Sequence, residues 1–162
     1  MCQQTRVSAV IPFYIKWMTT FPTISSLSLA SEDLVNTHWA GLGFYRRARL
    51  LHTGSKYIIN NLNGILPTTL NELLKMPGVG PYTAGAIGSI ALGLNVPVVD
   101  GNVLRVFSRL FGVVCDIKSN TYKDKFGWEI ANEVLRGGGE ANNIVDASTV
   151  NQSLMEIGAT YC

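Results

Sequence analysis

The stretch LLKMPGVGPYTAGAIGSIALGLNVPVVDGNVLRVFSRLFG, residues 73–112, decides the fold. It opens on the apolar pair Leu73-Leu74 and meets Met76-Pro77-Gly78-Val79-Gly80. Glycine tolerates positive φ and lets backbones approach, so a tight hairpin is expected here. Ala84, Gly85, Ala86 and Gly88 follow, on a helix expected over 82–92 whose small residues let it pack close to a neighbour. A turn feeding a helix start presents free N–H groups, which suit a phosphate oxygen. Asn95-Val96-Pro97 reads as a loop, and Asp100 reads as the cap of a helix through Leu110. Two glycines alone are a weak signal, because most such pairs only join helices.

Working outward, helical patterns dominate. Val7, Val10, Ile11, Tyr14, Ile15 and Met18 recur at helical spacing. Pro12 within that run should kink the helix or leave one carbonyl unpaired. Ser31-Glu32-Asp33 supplies a cap and then carboxylates for the positive dipole end, so a helix is expected to about Trp39, stopped by Gly41 or Gly43. A third helix is expected over 44–60, and Thr68 or Thr69 caps a short one through Leu74. Two more fall near 122–136 and 143–158, joined by Gly137-Gly138-Gly139. VPVVDGNV is too short and isolated to seed a sheet. The expected class is all-α.

Composition sets outer bounds. The chain has 162 residues, of which 47% are hydrophobic and 15% charged, the profile of a globular protein rather than a disordered one. No apolar run reaches membrane length, so no membrane partner is expected. The N-terminal apolar stretch is short and broken by Pro12, so no signal peptide is expected. Cys2, Cys115 and Cys162 are odd in number and far apart, which speaks against a disulfide framework and for a reducing compartment. A net charge of +2 says little about nucleic acid. His38 and His52 belong to no ligand pattern.

Several segments taken together carry more. They are Met1-x-Gln3-Gln4-Thr5, Trp39-Ala40-Gly41-Leu42-Gly43-Phe44-Tyr45-x-Arg47, Met76-Pro77-Gly78-Val79-Gly80, Tyr82-Thr83-Ala84-Gly85-Ala86, Val99-Asp100-Gly101-Asn102 and Asn151-Gln152-x-Leu154-Met155-Glu156-Ile157-Gly158-Ala159. In this order they resemble the helix-hairpin-helix base-excision DNA glycosylases, and more narrowly the adenine DNA glycosylase branch. The resemblance covers essentially the whole chain. It implies a six-helix barrel lobe over 1–112, with the helix-hairpin-helix at about 73–92, and part of a second, iron–sulfur lobe over 113–162. It implies duplex DNA with adenine opposite 8-oxoguanine or guanine as substrate, a flipped base, and hydrolysis of the N-glycosidic bond. A base inside the stack is out of reach of such chemistry, so flipping is a physical requirement.

The resemblance also implies roles. Asp100 is the carboxylate that stabilises positive charge growing on the deoxyribose. Tyr82 stands where relatives acting on oxidised pyrimidines have a lysine. A phenol cannot form their Schiff base, so simple hydrolysis is expected, with Tyr82 bonded to Asp100 and Asn102 a helper near the sugar. Gln3 and Gln4 lie near the lesion pair, Gln4 as the wedge. Phe44 stacks into the duplex. Arg47 joins Phe44 at the DNA, and Pro77, Gly78, Val79 and Gly80 meet its backbone. Gln152 reads the adenine edge, and Cys2 forms one wall of the base pocket.

Two family features have no place in the sequence. The general acid is a glutamate two positions before the methionine of M-x-Q-Q-T, and here that methionine is Met1. Cys162 matches the first of the four cysteines that hold a [4Fe–4S] cluster. The expectation is therefore a fragment of an adenine glycosylase, itself severely impaired, monomeric, and not binding the cluster alone. A non-catalytic DNA-binding remnant is the alternative, and an endonuclease III-like pyrimidine glycosylase a weaker one. The expected compartment is the nucleus, with the mitochondrion also in play, if the source is eukaryotic, and the cytoplasm if bacterial.

Overall fold

A computed structural model of the chain describes residues 1–2, 5–113, 122–137 and 146–162, the side chains of 123 and 124 apart. Every regular element among them is helical, and the expected all-α class stands. None of the described helices is long and apolar enough to cross a membrane. The chain divides into two compact units, Met1–Pro67 with Lys75–Gly78, and Thr68–Leu74 with Val79–Cys162. The small-residue helix and the helix after Asp100 belong to the second of these units, with the C-terminal helices.

The first unit holds α1 (Val7–Thr20), α2 (Ile24–Leu29), α3 (Glu32–Trp39) and α4 (Arg46–Leu62). α1 runs through Pro12 unbroken. Pro12 has no N–H, so the carbonyl one turn earlier receives no ladder bond from it. Trp17 anchors the core, meeting Phe21 edge-on at 4.8 Å and Trp39 at 5.5 Å. α4 packs on α2 and α3, burying Ala48, His52, Ser55 and Ile58 along one stripe. Val7, Ile11, Tyr14 and Ile15 on α1 stay exposed, and the first three border an open apolar groove of about 430 Å³ with Val10, Trp17 and Leu51.

Two features of this unit differ from the sequence reading. α2 was not expected, because its segment ISSLSL carries little apolar periodicity. A reciprocal cap makes it: Thr23 Oγ1 accepts from Ser26 N, and Thr23 N donates to Ser26 Oγ, both at 3.1 Å. The helix expected from 44 starts at Arg46 instead. Gly43 and Phe44 have φ of 71° and 50°, which takes the chain out of helical geometry until Tyr45.

The second unit starts with α5 (Leu70–Leu73), capped by Thr69. α6 (Pro81–Ala86) follows the hairpin and continues as a π-helical turn, π1 (Ile87–Ala91), where a plain α-helix was expected. After an extended segment come α7 (Gly101–Leu110), a π-helical π2 (Tyr122–Gly127), α8 (Trp128–Leu135) and α9 (Ala147–Thr160). Val99, Val103, Leu104, Phe107, Tyr122 and Ala131 form the core of this unit. α7 packs most extensively on α9. Gly138 and Gly139 of the expected joint, and 143–145 of the expected last helix, lie outside the described residues.

Candidate active site

In the second unit the chemistry gathers at the start of α7. Asp100 is the N-cap, with its carboxylate turned back on the helix. Oδ1 accepts from the backbone N–H groups of Asn102 and Val103, both at 2.9 Å. Oδ2 accepts from Asn102 Nδ2 at 2.9 Å. Three donors and the helix dipole thus stabilise negative charge on a half-buried group. Asn102 is held in turn, because Arg105 Nη2 donates to its Oδ1 and, at 2.9 Å, to the carbonyl of Gly158 on α9. The chain Gly158–Arg105–Asn102–Asp100 fixes the carboxylate against the neighbouring helix.

Gly158 permits that bond by letting α9 lie directly on α7. A Cβ there would fall 2.6 Å from the Asn102 carbonyl carbon and 2.7 Å from its Cβ, far inside contact distance. The same logic holds upstream: a Cβ on Gly85 would collide with the Pro97 carbonyl oxygen, and one on Gly88 would stand 3.0 Å from Val96. The small face of α6 and π1 therefore receives the extended segment 94–99 that delivers Asp100.

Asn151 locks that delivery, a role the sequence reading did not assign. It is 1% exposed. Val98 N donates to its Oδ1 at 3.1 Å, and its Nδ2 donates to Ser89 Oγ and to the Val96 carbonyl, each at 3.0 Å. One amide from α9 thus pins both π1 and the segment before Asp100. The signal that could have found it was its place just before Gln152 in a run otherwise read as motif.

The other second-unit residues fall as follows. Tyr82 donates to Met155 Sδ at 3.8 Å. The expected bond to Asp100 is not among the three that its carboxylate accepts. Gln152 is exposed, and its amide donates to Ser148 Oγ at 3.0 Å and to the Ser148 carbonyl at 3.2 Å. Val79 is half-buried and Gly80 exposed. Gly80 caps α6 with φ of −93°, and a Cβ there would meet nothing within 4 Å, so the fold itself does not need glycine at this position.

In the first unit Gly78 behaves oppositely. Its φ is +80°, and a Cβ would come within 2.7 Å of Leu50 Cβ, so both the turn and the packing require glycine. Pro77 is half-buried and Cys2 exposed. Gln3 and Gln4 lie outside the described residues. Phe44 is 62% exposed in left-handed backbone, an uncommon place for an aromatic residue. Arg47 does not stand free beside it. Nη1 donates to the Met1 carbonyl at 2.7 Å, and Nη2 donates to Thr5 Oγ1 at 3.0 Å and to the carbonyls of Leu42 and Gly43, each at 3.3 Å.

Among the described residues no three Cys, His, Asp or Glu side chains come together as a metal group. Cys162 is half-buried against the second-unit core, Cys2 is exposed, and Cys115 lies outside the described residues. A [4Fe–4S] cluster takes four thiolates, so the described residues do not fit one.

Residues 1–129 match the model of the HhH-GPD superfamily of base excision DNA repair proteins. The chain belongs to that superfamily. Among similar curated proteins is the adenine DNA glycosylase of Homo sapiens, 41% identical over 163 residues, covering 100% of this chain and 28% of the relative. That of Arabidopsis thaliana is 42% identical over 184 residues, with 100% and 27% covered. That of Buchnera aphidicola subsp. Baizongia pistaciae is 36% identical over 162 residues, with 100% and 43% covered. The chain thus spans well under half the length of these relatives. Among solved structures, a thermostable thymine-DNA glycosylase superposes with a TM-score of 0.77 at 27% identity, covering 98% of this chain and 69% of that one. Endonuclease III in a non-covalent complex with DNA gives a TM-score of 0.77 at 22% identity, covering 98% and 69%, and shares the fold. The helix-hairpin-helix glycosylase fold expected for this HhH-GPD chain is the fold observed.

Proposed function

We propose that this chain carries the DNA-engaging and sugar-facing part of an adenine DNA glycosylase. Its substrate is duplex DNA with adenine opposite 8-oxoguanine or guanine. The observation that supports this best is the Asp100 corner, a carboxylate gripped by three donors and braced through Asn102 and Arg105. In the reaction the bond from C1′ of deoxyribose to adenine N9 breaks, and its electron pair leaves with the base. A proton donor neutralises the base, and water adds to C1′ as it loses a proton. Asp100 stabilises the positive charge that C1′ carries in between, and because it is already oriented no reorganisation is needed at that moment. Tyr82 has no amine, so the step ends in hydrolysis rather than strand cleavage.

In the family pattern the proton donor is a glutamate two positions before the methionine that Met1 matches. A cluster bound at Cys162 would likewise take three further thiolates from outside the described residues. Phe44, Gln3, Gln4 and the hairpin residues Pro77, Gly78, Val79 and Gly80 contact the duplex, and Gln152 reads the adenine edge. The test is single-turnover excision by the chain extended at its N-terminus with its natural upstream codons. Asp100→Asn should slow excision about 10²-fold or more while affinity for the mispaired duplex holds. An unchanged rate would remove Asp100 from the chemistry. Selective binding without excision in any form would favour the non-catalytic DNA-binding alternative.

A further inference from the structure

Arg47 is heavily engaged within the first unit. Among the described residues its guanidinium donates to oxygens on Met1, Thr5, Leu42 and Gly43. Its Cζ lies 5.4 Å from the ring centre of Trp39 and 5.4 Å from that of Phe44. The Gly43 carbonyl that it holds also accepts from Trp39 Nε1 at 3.0 Å. Phe44 itself sits at φ 50°, a conformation that persists in an aromatic residue only when its surroundings over-determine it. Two stretches more than forty residues apart in sequence thus meet on one cation.

We propose that Arg47 is a positioning residue, which joins the exposed Phe44 ring to Met1 and Thr5 as one unit rather than neutralising a phosphate. This rests on the DNA reading of Phe44 under the proposed function. The chemistry asks for arginine in particular. A planar fork can bond acceptors on two sides while its faces lie against two rings, whereas an ammonium is a point charge with neither property. A phosphate contact has a different signature. Each one neutralised lowers the slope of log affinity against log salt by about 0.9, and lysine can supply it.

The experiment uses the full 162-residue chain, Arg47→Lys, and two duplex probes, one with adenine opposite 8-oxoguanine and one fully matched. Amide exchange of the free proteins is followed alongside. In Arg47→Lys the amides of Thr5, Leu42 and Phe44 should exchange about tenfold faster. The preference for the mispaired duplex should fall by roughly tenfold with the salt slope unchanged. Wild-type preference restored by lysine overturns the proposal, as does an equal loss on both probes with a slope reduced by about 0.9. If the wild-type chain prefers neither duplex, the functional reading fails, and the coupling is then decided by exchange alone: unchanged rates at both stretches overturn it. Thr5→Val removes one acceptor from the same cation and should give a smaller effect in the same direction, which keeps the test open if Arg47→Lys does not fold.

Discussion

The Asp100 corner and the Arg47 hub are both built from charged side chains engaged by several hydrogen bonds, yet they are made in opposite ways. Asp100 bonds residues two and three positions away, so its geometry is written locally by the helix it caps. Arg47 reaches residues 46 and 42 positions away, so its geometry exists only after the tertiary fold has formed. The first is a property of a segment and the second a property of a packed unit. Damage to the local corner should therefore appear in chemistry before stability, and damage to long-range clamps in stability first.

The largest effect is expected at Gly158. Gly158→Ala places a methyl against the Asn102 backbone, a collision neither helix can absorb without separating. We expect a loss of about 3 kcal/mol in chemical denaturation, and an unchanged midpoint would show that α9 does not brace the corner in this way. Next comes Asn151→Ala, which leaves Val98 N, the Val96 carbonyl and Ser89 Oγ without their partner. About 2 kcal/mol should go, with faster amide exchange at Val98. A loss confined to the last helix would show that Asn151 does not hold the segment before Asp100.

Asp100 sharpens the contrast further. Asp100→Ala removes the cap and should cost about 1 kcal/mol, whereas Asp100→Asn keeps an oxygen acceptor and should cost a few tenths. Both should slow excision in the extended chain about 10²-fold or more, so activity that merely tracks the stability loss, falling far less in Asp100→Asn than in Asp100→Ala, would contradict a catalytic role. The smallest effect concerns His52, which is 2% exposed on α4 with Nε2 lacking a hydrogen-bond partner. Desolvation first, and the nearby Lys56 second, hold its pKa below the usual 6.5. The unfolded chain then takes up a proton that the folded chain resists. Stability should be full above pH about 6.5 and decline as pH falls below it. His52→Gln should flatten that slope in thermal melts taken across the range.

What was legible in the sequence follows the same division. The caps at Ser31, Thr69 and Asp100 were readable because their acceptors bond the next turn of the chain. Gly78 was readable as a turn glycine, though the Leu50 side chain that also demands it lies on another helix. Gly80 looked equally necessary and is not, because sequence cannot distinguish a glycine kept for the fold from one the fold merely tolerates. α2 was hidden by its serines, although its capping pair Thr23 and Ser26 was visible. Arg47 read as a DNA contact, and Asn151 as part of a motif, because nothing local marks an acceptor fifty residues distant. The bond from Tyr82 to Met155 was illegible for that reason as well.

The π-helical turn Ile87–Ala91 carries a consequence for chain length. Such a turn holds one residue more than the α-helix it interrupts. Deleting one of those five residues would leave an ordinary α-helical turn without turning α6, because the widened turn has already absorbed the extra residue. Tyr82 would still reach Met155, and Gly85 would still face Pro97. Substitution at Ile90, which is exposed, should be absorbed easily, and so should loss of that same position. Between residues 87 and 91 the chain can lose a residue at little cost to α6, and variation in length should collect at this turn.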